Sequence, residues 1–395
     1  MKVIFENFVG LDDIRTTRKP IYVEDGIITK AFDKDSSTKV VDCKGLFLIP
    51  AFTDLHTHFR DPGFTYKEDL ESGSRAALKG GFTSVNLMAN TKPPVSTRAI
   101  YEDIMSRGKE LDLIDIRQVY TITKDFDGKT LDHLDDLPDG VRFLSDDGHG
   151  VNDDYTMYKA MVKAKSLDLK MTLHEEVKGL SNEDYELAED LMTLRDCYLS
   201  YKLNYPIHLS HVSTKGSIGA IRYFKDLGAP ITCEITPHHL SFSDRKDLRV
   251  NPPIRSQEDR QALIKAIKDG YVDAIATDHA PHTEDEKRAG MPGFIGLETA
   301  FSSSYMALVK PGHISINKLI YLMSTSPSKI LGIKKGRLEQ GYLADFILVD
   351  LDKVYTYRKE EIVSKSKNSL LIGKDLTGSI EYVYRRGVLK YENNR

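Results

Sequence analysis

Residues 47–63 read FLIPAFTDLHTHFRDPG, an apolar run that closes on two histidines one residue apart, with an arginine two further on. Side chains alternate faces along a strand, so His56, His58 and Arg60 fall on one side while Thr57 and Phe59 take the other. A lone histidine in such a run is commonly a hydrogen-bonded core residue. Two adjacent imidazoles at the end of a buried strand want either a shared metal or a partner each, and the pair points to a metal site.

Working outward, apolar and often β-branched runs recur at 49–58, 83–90, 114–123, 141–147, 170–176, 207–213, 231–239 and 273–281. Most are separated by helix-like segments such as YKEDLESGSRAALKGG and SQEDRQALIKAIKDG. The second of these opens at Ser256 with Asp259 three places on, a capping-box-like start, and closes at Gly270, where a C-cap belongs. Eight alternating units predict an α/β fold of the (β/α)8 TIM-barrel type, whose active site lies at the C-terminal ends of the strands. The chain ends differ from this middle. Residues 1–50 and 336–395 read as short β-segments with turns, Asp25-Gly26 being a hairpin signal. They are expected to meet in one small β domain beside a barrel of residues 51–335.

The barrel demands that reactive residues sit at strand ends. The first run ends in His56, His58 and Arg60, the second in Asn90, the fourth in Asp146 and Asp147, and the fifth in His174. The sixth supplies His211, and the eighth Asp278, His279 and His282. Chance placement of core histidines does not produce that pattern. His56, His58, His174 and His211 with Asp147 and Asp278 offer four imidazoles and two carboxylates, more than one zinc ion holds and suited to two. The absence of thiolate in the set favours zinc, with manganese or cobalt as substitutes. Water on such ions is deprotonated near pH 7 and needs no Ser or Cys nucleophile, so the chemistry is hydrolytic. Asp278, beside that water, is placed to carry a proton to a leaving nitrogen. A net positive pocket suits an anionic substrate, and Arg60 can pair bidentately with a carboxylate.

Composition narrows the partners. The 395 residues are 40% hydrophobic and 29% charged with a formal net charge of −4, which gives no footprint for nucleic acid or an anionic membrane. No stretch approaches the ~20 apolar residues of a membrane span, and the N-terminus lacks a signal-like apolar core. Cys43, Cys197 and Cys233 form no C-x-x-C and suit a reducing compartment. The expected location is the cytoplasm.

The motifs DLHTHFRDPG, FLSDDG, SHVST, TPHHL, NPPIR, TDHAPH and GMPGFIGLETA together resemble the dihydroorotase family, type I bacterial branch, of the amidohydrolase superfamily. The resemblance runs from Leu48 through GRLEQGYLADFILVD. It implies a distorted barrel with a β-sandwich built from both termini, and reversible cyclisation of N-carbamoyl-L-aspartate to L-dihydroorotate in pyrimidine biosynthesis. By it, His56 and His58 would hold the more buried zinc, His174 and His211 the more exposed one, and Asp147 would bridge them, with Asp146 as fallback. Asp278 would double as ligand and acid/base. Arg60, Asn90, Asn251 and His282, with backbone at Pro292 and Gly293, would hold the substrate, Arg60 and Asn90 facing its carboxylate. The resemblance leaves room for a homodimer and for association with aspartate transcarbamoylase. It assigns no clear role to His149, His238 or His239; His149 is expected to be exposed, the other two to back the site, and His133, His208 and His313 to be structural.

Two alternatives are weighed. Hydantoinases and allantoinases share the barrel but typically bridge their metals with a carboxylated lysine on the fourth strand, where this chain has VRFLSDDG. An inactive dihydroorotase-like subunit scaffolding aspartate transcarbamoylase would have lost ligands, and all six are present.

Overall fold

The two halves of the opening stretch belong to different sheets. In the computed structural model, which describes residues 1–247 and 249–393, Phe47–Pro50 lies in a sheet built from both chain ends, and Phe52–Thr57 begins the alternating region. Only Ala51 separates them, its amide donating to the Asp345 carbonyl at 2.9 Å.

Every predicted run contains a strand. The eight are Phe52–Thr57, Phe82–Leu87, Asp115–Gln118, Phe143–Leu144, Lys170–Leu173, Ile207–Leu209, Ile231–Ile235 and Ala274–Ile275. They pair in parallel in sheets of three and five strands. Isolated parallel bridges Tyr120–Leu144 and Thr57–His279 join the neighbouring sheet edges. This is the α/β alternation of a TIM barrel. The strands are shorter than the runs because the runs continue into polar loops at the C-terminal ends. The run at 231–239 is the clearest case: Thr236 caps a short helix, Pro237–Ser241, by accepting the His239 amide, with Pro237 in the first turn where its missing N–H costs nothing.

The Gln257–Asp269 helix forms only half of the expected capping box. Ser256 Oγ accepts the Asp259 amide at 3.1 Å, but the Asp259 carboxylate takes the Lys215 amide at 3.0 Å and the Ser256 hydroxyl at 2.5 Å. Gly270 ends the helix in the left-handed region, φ 88°, as a C-cap glycine does.

The chain ends build two sheets. Lys2–Glu6, Ile21–Glu24, Ile27–Thr29 and Lys39–Asp42 form one; Val9–Leu11, Thr16–Thr17 and Phe47–Pro50 join Phe346–Thr356, Asp375–Arg385 and Val388–Glu392 in the other. Asp25 and Gly26 both have positive φ, 48° and 80°, the requirement of a two-residue type I′ hairpin. The sheets share one apolar cluster that includes Val3, Phe5, Val23, Leu48, Phe346 and Tyr384. Phe5 packs edge-on to Phe346 and Tyr384, ring centroids 5.2 and 5.0 Å apart. Lys335, fully buried, ties these sheets to the parallel strands: its ammonium donates to the Phe52 carbonyl at 2.9 Å and Ser84 Oγ at 3.1 Å, and lies 3.6 Å from Asp345. The three cysteines are buried and free. No helix among the described residues is long and apolar enough to cross a membrane.

Candidate active site

At the C-terminal ends of the parallel strands, Asp147 stands at the centre of four imidazoles. Its Oδ1 lies 3.3 Å from His56 Nε2 and 3.6 Å from both His174 Nδ1 and His211 Nε2, and its Oδ2 lies 3.6 Å from His58 Nε2. Two groups of three could each hold a metal ion: His56, His58 and Asp147, and Asp147, His174 and His211, the ligand atoms within each group lying within 4.8 Å of one another. Asp147 belongs to both. Asp278 completes the set, its Oδ1 lying 3.0 Å from His58 Nε2 and 3.7 Å from His56 Nε2. All six side chains are buried.

The donor set fits a metal. His56 Nε2 and Asp147 Oδ1 are buried without a hydrogen-bond partner although they face each other; such atoms are costly unless something between them is coordinated. Burial alone would raise the Asp147 carboxyl, but His56, His174 and His211 hold it well below the usual carboxylate range. Burial would lower His56, and Asp147 and Glu234 instead raise it well above an ordinary imidazole. A divalent ion between these groups would satisfy the same charges, and imidazole and carboxylate are both metal ligands.

Asp146 is elsewhere. Its carboxylate accepts the Ile122 amide at 2.7 Å and the Thr123 hydroxyl at 2.5 Å, fixing the end of the neighbouring strand, and burial pushes it up to about 7. Of the two aspartates in SDDG, only Asp147 joins the cluster.

The residues expected to hold substrate have the following partners. The Arg60 guanidinium donates to the Pro281 carbonyl at 3.3 Å and lies 3.3 Å from His282 Nε2. It reaches them from a left-handed backbone, φ 57°, past the strand end at Thr57, so strand parity does not by itself place it. His211 and Asp278 also have positive φ, 34° and 46°, a conformation non-glycine residues adopt chiefly where surrounding structure enforces it. Asn90 stands with the cluster: its Oδ1 is 2.8 Å from His58 Nδ1 and its amide nitrogen donates to Asp147 Oδ2 at 3.0 Å. Asn251 donates to Glu176 Oε2 at 3.1 Å and accepts from the Tyr185 hydroxyl. With Glu176, Tyr185 and Pro292 it lines a cleft of about 560 Å³. Gly293 packs where no side chain fits: a Cβ would lie 2.5 Å from the Ala280 carbonyl oxygen and 2.7 Å from His282 Cδ2.

The amidohydrolase family pattern matches residues 47–389. A dihydroorotase of Clostridium botulinum is 45% identical over 397 residues, covering 99% of this chain and 100% of its own, and one of Aquifex aeolicus is 39% identical with 100% of both covered. The chain belongs to the amidohydrolase family, among the dihydroorotases. The L-hydantoinase of Arthrobacter aurescens has the same fold, with a TM-score of 0.89 at 22% identity over 100% of this chain and 96% of that one.

Three acidic residues of this amidohydrolase escape the sequence reading. Glu234, buried in Ile231–Ile235, lies 3.1 Å from His56 Nδ1 and 3.0 Å from His208 Nε2. Burial opposes its charge, yet His208 and His56 hold it down to about 2. It orients His56 in the manner of carboxylates behind metal-ligating histidines. Glu176 does the same for His174, 2.7 Å from its Nε2. Glu68 lies 3.3 Å from His279 Nε2, and His279 Nδ1 accepts the Gly296 amide at 3.2 Å, so that histidine is structural. A carboxylate inside an apolar strand such as ITCEI is itself a signal, because buried charges need a partner.

The remaining histidines sort as follows. His149 is exposed and stacks on Phe126, centroids 4.4 Å apart. His239 lies 2.7 Å from Thr236 Oγ1 and 3.1 Å from the Pro253 carbonyl. His238 is buried with both ring nitrogens unpartnered. His208 packs away from the cluster on Glu234 and Thr232. His133 bonds Thr121.

Proposed function

We propose that this chain is a zinc dihydroorotase of the cytoplasm, binding two ions per subunit and catalysing the reversible cyclisation of N-carbamoyl-L-aspartate to L-dihydroorotate in pyrimidine biosynthesis. The observation that carries the proposal is the sharing of Asp147 between two three-ligand groups in a chain that aligns end to end with dihydroorotases. An aspartate at that position takes the place of the lysine that typically bridges the metals of hydantoinases. The architecture we propose is a closed, distorted barrel of residues 51–335 with a β-sandwich of residues 1–50 and 336–395.

His56 and His58 would hold one ion, His174 and His211 the other, Asp147 both, and Asp278 would complete the first. Divalent ions there supply a nucleophile from water near neutral pH and polarise a carbonyl. The rest falls to the chain's own groups. In the hydrolytic direction Asp278 takes the proton released as the water oxygen bonds to the ring amide carbon. It passes that proton to the ring nitrogen as the C–N bond breaks; cyclisation reverses both transfers. Arg60 would bind the substrate carboxylate as a charge-assisted pair, Asn90 would face that carboxylate with it, and Asn251, His282 and the backbone at Pro292 and Gly293 would position the ring.

The test pairs metal analysis with assays of both directions. The expected result is two zinc ions per chain, loss of turnover on chelation and recovery when zinc is returned. Undiminished turnover by metal-free protein, or a metal-loaded protein inert toward dihydroorotate, overturns the proposal.

A further inference from the structure

Beside the start of the strands Asp115–Gln118 and Phe143–Leu144 lies a cleft of about 580 Å³ whose lining includes no residue of the metal cluster. Arg142 precedes the second of these strands and Asp147 follows it, so the cleft and the candidate active site stand at opposite ends of the same strand. Its walls are apolar at Met105, Ile116, Phe143 and Leu343. The volume is that of a small-molecule site.

Three donor groups on the lining have capacity to spare. Tyr101, on the helix Arg98–Leu111, is only 4% exposed, yet its hydroxyl bonds nothing among the described residues. That hydroxyl faces Gly140, where a Cβ would lie 3.4 Å from it. A buried polar group without a partner is uncommon and needs something to bond. Arg117, half-buried, makes neither a side-chain hydrogen bond nor an ion pair among the described residues. Arg142 donates through Nη1 to the Val141 carbonyl at 3.0 Å, and its other nitrogens have no acceptor among the described residues. Burial pulls the Arg117 guanidinium below its ordinary value against the charge of Asp115, and the Arg142 charge adds to the shift. Both cations act on the Tyr101 hydroxyl, opposing the rise that burial gives it, so the three groups share one locality. The acidic residues of the lining do not serve them. Asp115 is taken by Arg385 and Arg386 at 2.6 and 3.0 Å, Glu102 lies 3.4 Å from Arg98, and exposed Asp139 makes no ion pair among the described residues.

We propose that this cleft binds a phosphate monoester, its phosphate held by Arg117, Arg142 and the Tyr101 hydroxyl and its apolar or aromatic body lying against Phe143 and Leu343. Two guanidinium groups without carboxylate partners repel each other, and an anion between them turns that repulsion into two charge-assisted bonds. A phosphate dianion matches both charges and offers three acceptor oxygens, one for each donor group. A carboxylate would leave one positive charge over. The apolar walls favour an ester above free phosphate, because an organic body lying there removes apolar surface from water. Since the cleft and the metal cluster share no residue, its occupant and the substrate bind together.

Phenyl phosphate is the probe, titrated calorimetrically into the metal-loaded full chain with dihydroorotate saturating and at reaction equilibrium, so that the metal centre is already occupied. One site per chain is expected. Arg117→Gln and Arg142→Gln should each weaken binding about tenfold or more, the loss of a hydrogen bond to a charged group, and Tyr101→Phe should weaken it by a smaller factor. Arg142 is exposed, so its variant keeps the test open should the Arg117 variant fail to fold. Inorganic phosphate should bind more weakly than phenyl phosphate, and benzoate more weakly still. No binding at ~10 mM phenyl phosphate overturns the proposal. So does binding that is lost when dihydroorotate is added, binding unchanged in Arg142→Gln, or inorganic phosphate or benzoate binding as tightly as the ester.

Discussion

Arg60 and Asp278 divide the work at the residue scale, and each can be tested apart from the other. Arg60→Ala should weaken the interaction with dihydroorotate about tenfold to hundredfold, the equivalent of the roughly 1.5–3 kcal/mol of a hydrogen bond to a charged group. Dihydrouracil, the same ring without the carboxylate, should lose far less, and Arg60→Lys should recover only part of the loss because an ammonium lacks the planar fork. The measurement is kcat/KM for both substrates; equal damage to the two removes Arg60 from carboxylate recognition. Asp278→Asn should lower kcat by ~10²–10⁴ while His56, His58, His174, His211 and Asp147 retain metal, so metal content is measured alongside turnover. Near-normal kcat with metal bound excludes a proton-carrying role. That His56, His58, Asp147, His174, His211 and Asp278 come together was legible because strand ends leave so few places for a histidine to go. The second layer was less so. Glu234 and Glu176 act on rings far away in sequence, and Asn90 reads as a mouth residue until its bonds to His58 and Asp147 are seen.

At the scale of elements, local chemistry decides where segments begin and end. Ser256→Ala removes the acceptor of the Asp259 amide and should cost about 1 kcal/mol of stability, read from urea unfolding. A loss well below that would mean that Asp259, already engaged with the Lys215 amide, carries the helix start alone. The strands were legible as apolar runs and their order as alternation. Their lengths were not: a run records burial, and burial extends past the last ladder bond into the loops that carry Asp147, His174 and His211.

The whole molecule should lose stability in mild acid through histidines outside the ligand set. Burial pushes His239 down to about 4, and burial with the charges of Arg60 and Lys67 pushes His282 down to about 3. An unfolded imidazole takes up its proton near pH 6.5, the native ring only well below that. The unfolded state therefore binds more protons, and stability falls as pH drops from about 6.5 toward 4. His239 alone contributes about 2 kcal/mol between pH 7 and 5. His239→Gln should flatten the pH dependence of the urea midpoint by that amount, and an unchanged slope would assign the loss to other groups. The texture of the two chain ends announced that they belong together, but not which edges meet: Phe47–Val349, Leu48–Leu348, Ile49–Ile347 and Pro50–Phe346 pair across some 300 residues, a register no local pattern encodes. That pairing sets a schedule for the nascent chain. At ~5–20 residues per second, the strand that begins at Phe346 leaves the ribosome roughly 15–60 s after Pro50, and for that interval Phe47–Pro50 presents an unsatisfied apolar edge. Synthesis of this protein should accordingly depend on holding chaperones more than its finished stability suggests, and a ribosome stalled just before residue 346 should display a chain that aggregates on release, whereas one stalled beyond the terminal strands should not.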